Sequence, residues 1–170
     1  MKEAIKIYIL HYGECDPKKC TGKKMERMGF GIVVRNSKHV PRGIVLNPFS
    51  KIALSRADKE VAVKRGLVVV DASWAKLKSG KFPRGVQRSL PFLIAANPIN
   101  FGKPAKLSSL EATVAALYIM GFKTLAMKLA SIFKWGIVFV NMNKDYLEAY
   151  SRAENSHEVI ELQKKFILQL

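Results

Sequence analysis

At 170 residues the chain is long enough to bury a sizeable core without metal or disulfide staples, and its hydrophobic fraction of 49% is ordinary for a globular protein. Lys and Arg number 29 against 13 Asp and Glu, a formal charge of +16, and residues 1–92 hold 20 of the basic but only 7 of the acidic side chains. Such a field favours a polyanion, nucleic acid before anionic lipid; with no apolar run near twenty residues and Glu3 interrupting the signal-like start, the expectation is a cytoplasmic protein without membrane association.

Five short apolar segments, 5–10, 31–35, 43–47, 66–71 and 91–97, are rich in Val and Ile and nearly continuous, the pattern of parallel strands covered on both faces. The stretch 50–65 has helical character and the length of a crossover, and "SWAKLKSG" predicts a short helix ending near Gly80. Between the second and third strands, "NSKHVPRG" is too short for an ordinary parallel crossover. After residue 97 the pattern turns helical: a Ser cap ahead of Glu111 opens an apolar helix ending at Gly121, and "FKTLAMKLASIFKWG", "NKDYLEAYSRA" and "SHEVIELQKKFILQL" continue the series. "IVFV", 137–140, has strand propensity among helical neighbours. The fold class expected is α/β with a mainly parallel five-stranded sheet, residues 1–92, followed by a mainly helical domain, 93–170, that completes a cleft.

Ligands of parallel sheets commonly sit in the crevice beyond the carboxyl ends of the strands. Four segments follow apolar runs and would meet there: 15–24, 45–50, 69–74 and 93–109. In the first, Thr21 and Gly22 offer backbone donors to an anion, and Lys18, Lys19, Lys23 and Lys24 offer charge to an RNA backbone; the spacing GxxxxGK[ST] of a nucleotide triphosphatase is missing. Asp71 suits a ligand ammonium or hydroxyl and Trp74 an aliphatic or planar group, but an Asp here equally caps a helix beginning near Ser73 and a Trp equally fills a core. The "AANPINFG" turn before a helix N-terminus suits a heterocycle with an anionic group. Cys15 and Cys20, without a second pair, are poor zinc ligands, and His11, His39 and His157 lack a common metal spacing, so no metal is expected. Ser50, Ser73 and Ser109 form no nucleophile elbow, and Glu111 has no partner for paired-acid catalysis.

Together, "CDPKKCTGKKM", "GIVLNPFS", "VVDASW" and "LPFLIAANPINFGKPAKLSSLEA" resemble the small-subunit rRNA aminocarboxypropyltransferase family along nearly the whole chain. The family's Asp-Cys-Ser-Trp block stands here as Asp71, Ala72, Ser73 and Trp74, without the thiol, and the Asp often found between its N-terminal His and Cys is missing between His11 and Cys15. The resemblance implies a knotted domain related to the SPOUT methyltransferases, with S-adenosyl-L-methionine as cofactor. It implies transfer of the 3-amino-3-carboxypropyl group to N3 of a modified pseudouridine, N1-methylpseudouridine, releasing methylthioadenosine. By the same resemblance Thr21, Ser109 and Thr113 would bind the cofactor carboxylate, Asp71 would orient its ammonium, Trp74 would cover its aliphatic chain, and backbone groups near Leu46, Leu93 and Leu107 would hold adenine or ribose. Asp71 is also a candidate to take the N3 proton, though orientation is favoured.

The partner implied is small-subunit rRNA or a pre-ribosomal particle, met by a monomer. A methyltransferase acting on RNA and a non-catalytic RNA-binding assembly protein are the competing readings, because a basic surface and a generic pocket do not reveal which carbon is transferred.

Overall fold

The computed structural model describes residues 4–11, 21–71 and 82–170. Strands β1 (Ile7–His11), β2 (Ile32–Val34), β3 (Ile44–Leu46), β4 (Leu67–Asp71) and β5 (Val86–Arg88) form one sheet in the order β2-β1-β4-β3-β5, all neighbours parallel. The helices are α1 (Thr21–Arg27), α2 (Lys59–Arg65), α3 (Ser109–Met120), α4 (Lys123–Ala130), α5 (Lys134–Met142), α6 (Lys144–Arg152) and α7 (Ser156–Leu168). The all-parallel expectation holds because the apolar runs of β1, β3 and β4 are covered on both faces: Ile9, Leu10, Ile44, Val45, Leu67 and Val68 are fully buried. The short link after β2 is also explained. β2 and β3 are not neighbours, since β1 and β4 lie between them; the link 35–43, which includes the 3-10 turn Ser37–His39, crosses three strand spacings, roughly 14 Å, and returns to the amino end of the sheet.

The fifth strand is not 91–97. β5 is the short segment Val86–Arg88 on the sheet edge, whereas 91–97 starts with Pro91, which has no N–H to give a ladder, and ends in the Asn97 turn. Its Leu93, Ala95 and Ala96 are nevertheless buried; Leu93 and Ala95 bond the nearby 102–105 around an Ile94–Pro104 bridge, and helix side chains meet the remaining backbone groups. The Phe92 N–H donates to Gln163 Oε1 at 2.8 Å, and Ile94 exchanges two 2.8 Å bonds with the Asn143 carboxamide. The Tyr150 hydroxyl donates to the Phe92 carbonyl at 2.9 Å. Burial therefore shows in the sequence, but the partner that satisfies the backbone does not.

In 50–65 only the second half is helical. A 3-10 turn, Arg56–Asp58, capped by Ser55, leads into α2, while Ala53 bridges Ser89 in parallel. "IVFV" lies inside α5. The helix expected over "SWAKLKSG" falls outside the described residues.

Helix α3 organises the interior. Ser108 and Glu111 form a capping box at its start, Gly121 ends it in a left-handed conformation (φ 98°), and Leu110, Val114, Ala115, Leu117 and Ile119 are fully buried. A helix apolar on all sides belongs in a core, and α3 packs against β4, α1, α4 and α6. One apolar cluster runs from Ile9 and Val69 of the sheet through α3 to Tyr150 and Val159.

Candidate active site

In this strand order the chain leaves β1 toward β2 on one side and β4 toward β5 on the other, so the crevice beyond the carboxyl ends of β1 and β4 is a topological switch point. The register places the last residues of these strands, His11 and Asp71, side by side. Asp71 Oδ2 lies 3.8 Å from His11 Nε2. Asp71 Oδ1 accepts a 2.9 Å hydrogen bond from the Ser109 hydroxyl at the start of α3. From the third side comes α1: a Cβ built on Gly22 would stand 2.7 Å from Asp71 Oδ2 and 2.9 Å from Ile9 Cγ2, so glycine is what lets this helix approach the carboxylate. Three segments separated in sequence thus converge on one acid.

Asp71 and Ser109 stand on the wall of a cleft of about 350 Å³, within the range of small-ligand sites. Its apolar lining includes Leu46, Val69, Leu90, Leu107 and Ala112, and its polar lining includes Asn47, Asn97 and Asn100. Of the residues singled out in the sequence, Leu46, Asp71, Leu107 and Ser109 line this cleft. Thr113 lies one turn behind Ser109, fully buried, and its hydroxyl donates to the Ser109 carbonyl at 2.7 Å; it steadies the residue that holds Asp71. Leu93 is buried beneath the cleft loop, its carbonyl accepting from the Ala105 N–H at 3.0 Å. Thr21 is the first residue of α1, beside Gly22. Lys23 and Lys24 follow on α1, and the Lys24 ammonium lies 4.1 Å over the Phe133 ring. Trp74, Lys18, Lys19, Ser73, Cys15 and Cys20 lie outside the described residues.

The sequence pattern gave no hint of what holds the wall formed by 95–108. Glu111 is fully buried. Its Oε2 accepts from the Ala96 and Asn97 N–H groups at 2.6 and 3.1 Å, and its Oε1 from Asn97 Nδ2 and the Ser108 N–H at 2.6 and 2.9 Å. The second half of a capping box thus also anchors a loop fourteen residues upstream. The buried carboxylate is balanced by donors, and in turn it fixes Asn97 at the cleft.

Comparison with known proteins places the chain in a family. Residues 44–167 match the family model described as "Ribosome biogenesis protein, C-terminal". The chain is 50% identical over 167 residues to the 16S rRNA aminocarboxypropyltransferase of Methanothermobacter thermautotrophicus, covering 96% of this chain and 99% of that one. It is 49% identical to the enzyme of the same name from Methanocaldococcus jannaschii, covering 95% and 96%. The chain belongs to the 16S rRNA aminocarboxypropyltransferase family. In structure it resembles the SAM-dependent rRNA:acp-transferase Tsr3 from Vulcanisaeta distributa, with a TM-score of 0.85 and 38% identity over 94% of this chain and 96% of that one. The parallel five-stranded sheet and its helical continuation are therefore of the SPOUT-like knotted class, as the resemblance implied.

Residues 5–39 also match a model described as a possible Fer4-like domain in RNase L inhibitor. The donor set does not fit an iron–sulfur cluster of that kind, which takes four thiolates: the whole sequence has two cysteines.

Proposed function

We propose that this chain transfers the 3-amino-3-carboxypropyl group of S-adenosyl-L-methionine to N3 of a modified pseudouridine, N1-methylpseudouridine, in small-subunit rRNA, releasing methylthioadenosine. The observation that carries the reading is the convergence of α1, β4 and α3 on Asp71 at the wall of an apolar cleft. It is supported by relatives whose names state aminocarboxypropyl transfer to 16S rRNA and by a structural neighbour whose title states SAM dependence.

The residues present suit such a cofactor. Asp71 offers a carboxylate to an ammonium, and the Ser109 hydroxyl fixes the carboxylate plane. The N-terminal turn of α3, with Thr113 bracing Ser109 and the Thr21 turn opposite, favours a carboxylate group. Leu46 and Leu107 supply apolar surface and main-chain groups for adenine or ribose, and Leu93 supports that wall from below. Trp74, three residues beyond Asp71, is assigned the aliphatic chain.

The bound cofactor supplies a sulfonium with three electrophilic carbons, so the group transferred is set by the carbon that faces the nucleophile. By gripping the ammonium, Asp71 orients the amino-acid arm rather than the methyl group toward the RNA. Its engagement with Ser109 and His11 makes it a positioning group before a proton acceptor. Residues 1–92 supply the basic RNA-facing part, with Lys18, Lys19, Lys23 and Lys24 on phosphates, and residues 93–170 complete the cleft. The partner is small-subunit rRNA or a cytoplasmic pre-ribosomal particle, approached by a monomer.

The test is incubation of the protein with hypomodified small-subunit rRNA and cofactor, followed by nucleoside mass spectrometry. The added mass of an aminocarboxypropyl group on one uridine derivative supports the proposal; an added methyl mass, or none, overturns it.

A further inference from the structure

The turn at the mouth of the cleft carries its largest apolar side chains on the outside. Ile99 lines the cleft yet is 86% exposed, and Phe101, two residues on, is 62% exposed. This is not a loose loop. The Gly102 N–H donates to the Ala95 carbonyl at 2.7 Å, Lys103 N–H to Asn100 at 2.9 Å, and Asn100 N–H to Asn97 Oδ1 at 3.0 Å. Gly102 takes the left-handed conformation (φ 79°) that closes the turn, and Glu111 clamps Asn97 at its base. Burial cannot account for Ile99 and Phe101, and their rigid support means that they are held out in one place. The charged residues nearest in sequence are Lys103 and Lys106, both exposed.

We propose that the turn 97–103 is a stacking wedge for RNA: the Phe101 ring takes the face of an unpaired base adjoining the target nucleotide, Ile99 packs at the cleft rim beside it, and Lys103 and Lys106 hold the flanking phosphates. This rests on the proposed action on rRNA. The chemistry requires it, because a pyrimidine N3 lies on the pairing edge and must leave its partner before it can be alkylated. An apolar wedge flanked by cations pays for unstacking and keeps the vacated position filled. A membrane or protein partner would use the apolar surface but has no need of its continuity with a cleft that receives a base.

The test measures binding of the protein to a single-stranded rRNA fragment carrying N1-methylpseudouridine at the target position, as a function of salt, together with group transfer to that fragment. Phe101→Ala is expected to weaken RNA binding roughly tenfold or more. Its salt dependence, melting temperature and cofactor affinity should stay those of wild type, because no phosphate contact and no cleft wall is lost. Phe101→Trp is expected to restore binding. Lys103→Ala should instead lower the slope of log K against log salt by about one. Binding by Phe101→Ala within twofold of wild type, or failure of Phe101→Trp to restore it, overturns the wedge. Wild-type protein that binds the fragment but transfers no aminocarboxypropyl group would count against the proposed function instead, with the wedge still decided by the binding constants.

Discussion

Replacing Gly22 by Ala sets two effects against each other with opposite signs. Gly22 is the second residue of α1, where Ala is the better helix former by up to about 1 kcal/mol. The added methyl, however, would stand 2.7 Å from Asp71 Oδ2 and 2.9 Å from Ile9 Cγ2, roughly half an ångström inside normal carbon–oxygen and a full ångström inside normal carbon–carbon contact. Asp71 is the softer neighbour, since Ile9 is fully buried in the sheet, so the carboxylate should turn away and weaken its bond to Ser109. An off-rotamer side chain costs about 1 kcal/mol, comparable to the helix gain, so the melting temperature should move by only a few degrees. A misplacement of this size at a positioning group should lower the transfer rate on the order of a hundredfold. Thermal melting, cofactor titration and single-turnover transfer on one preparation check this. A Gly22→Ala protein that binds cofactor and reacts like wild type would refute the placement of Asp71 as the orienting group.

The same logic separates the neighbouring residues. Glu111→Ala strips the acceptor from four donors, three of them buried, and should cost about 3 kcal/mol or more in urea unfolding, with Glu111→Gln in between. Asp71→Asn keeps the shape and the Ser109 contact but removes the charge. It should weaken cofactor binding while leaving the pH dependence of single-turnover rate unchanged in form; loss of a base-dependent limb at unchanged cofactor affinity would make Asp71 the proton acceptor instead. Burial, and then the hydrogen bond to Glu148, push the Tyr118 hydroxyl up from 10.0 to about 12. The folded state therefore holds this proton more tightly than the unfolded chain, and its contribution is complete below pH 10 and lost as pH rises toward 12. Tyr118→Phe should accordingly flatten the fall in stability over that window, measured by urea titration at each pH.

What the sequence disclosed and what it concealed follow from the range of the interactions. β1, β3 and β4 announce themselves by apolar runs, and the Ser108–Glu111 box by its spacing, because both are local patterns. Segment 91–97 reads as a strand because it is buried, yet its backbone is shared between a short local pairing with 102–105 and the side chains of Asn143, Tyr150 and Gln163, roughly fifty to seventy residues away, and no periodicity encodes the distant partners. β5 escapes a sequence reading because one Val beside Gln and Arg on an edge gives no apolar run. Asp71 and Ser109 were both candidates, but their mutual bond across 38 residues emerges only when the sheet order is known. His11, deprived of the nearby Asp that the family often carries, faces Asp71 across β1 and β4. Glu111 has no partner in the sequence for paired-acid catalysis, and its hold on Asn97 has no signature there beyond the cap itself.

The most direct test follows the two ends of the cofactor separately. With hypomodified small-subunit rRNA, cofactor labelled in the carboxyl group should transfer its label to the RNA, cofactor labelled in the methyl group should leave its label in methylthioadenosine, and Asp71→Ala should abolish the transfer. Methyl label in the RNA would contradict the account, because it would mean that the cleft presents a different carbon to the base.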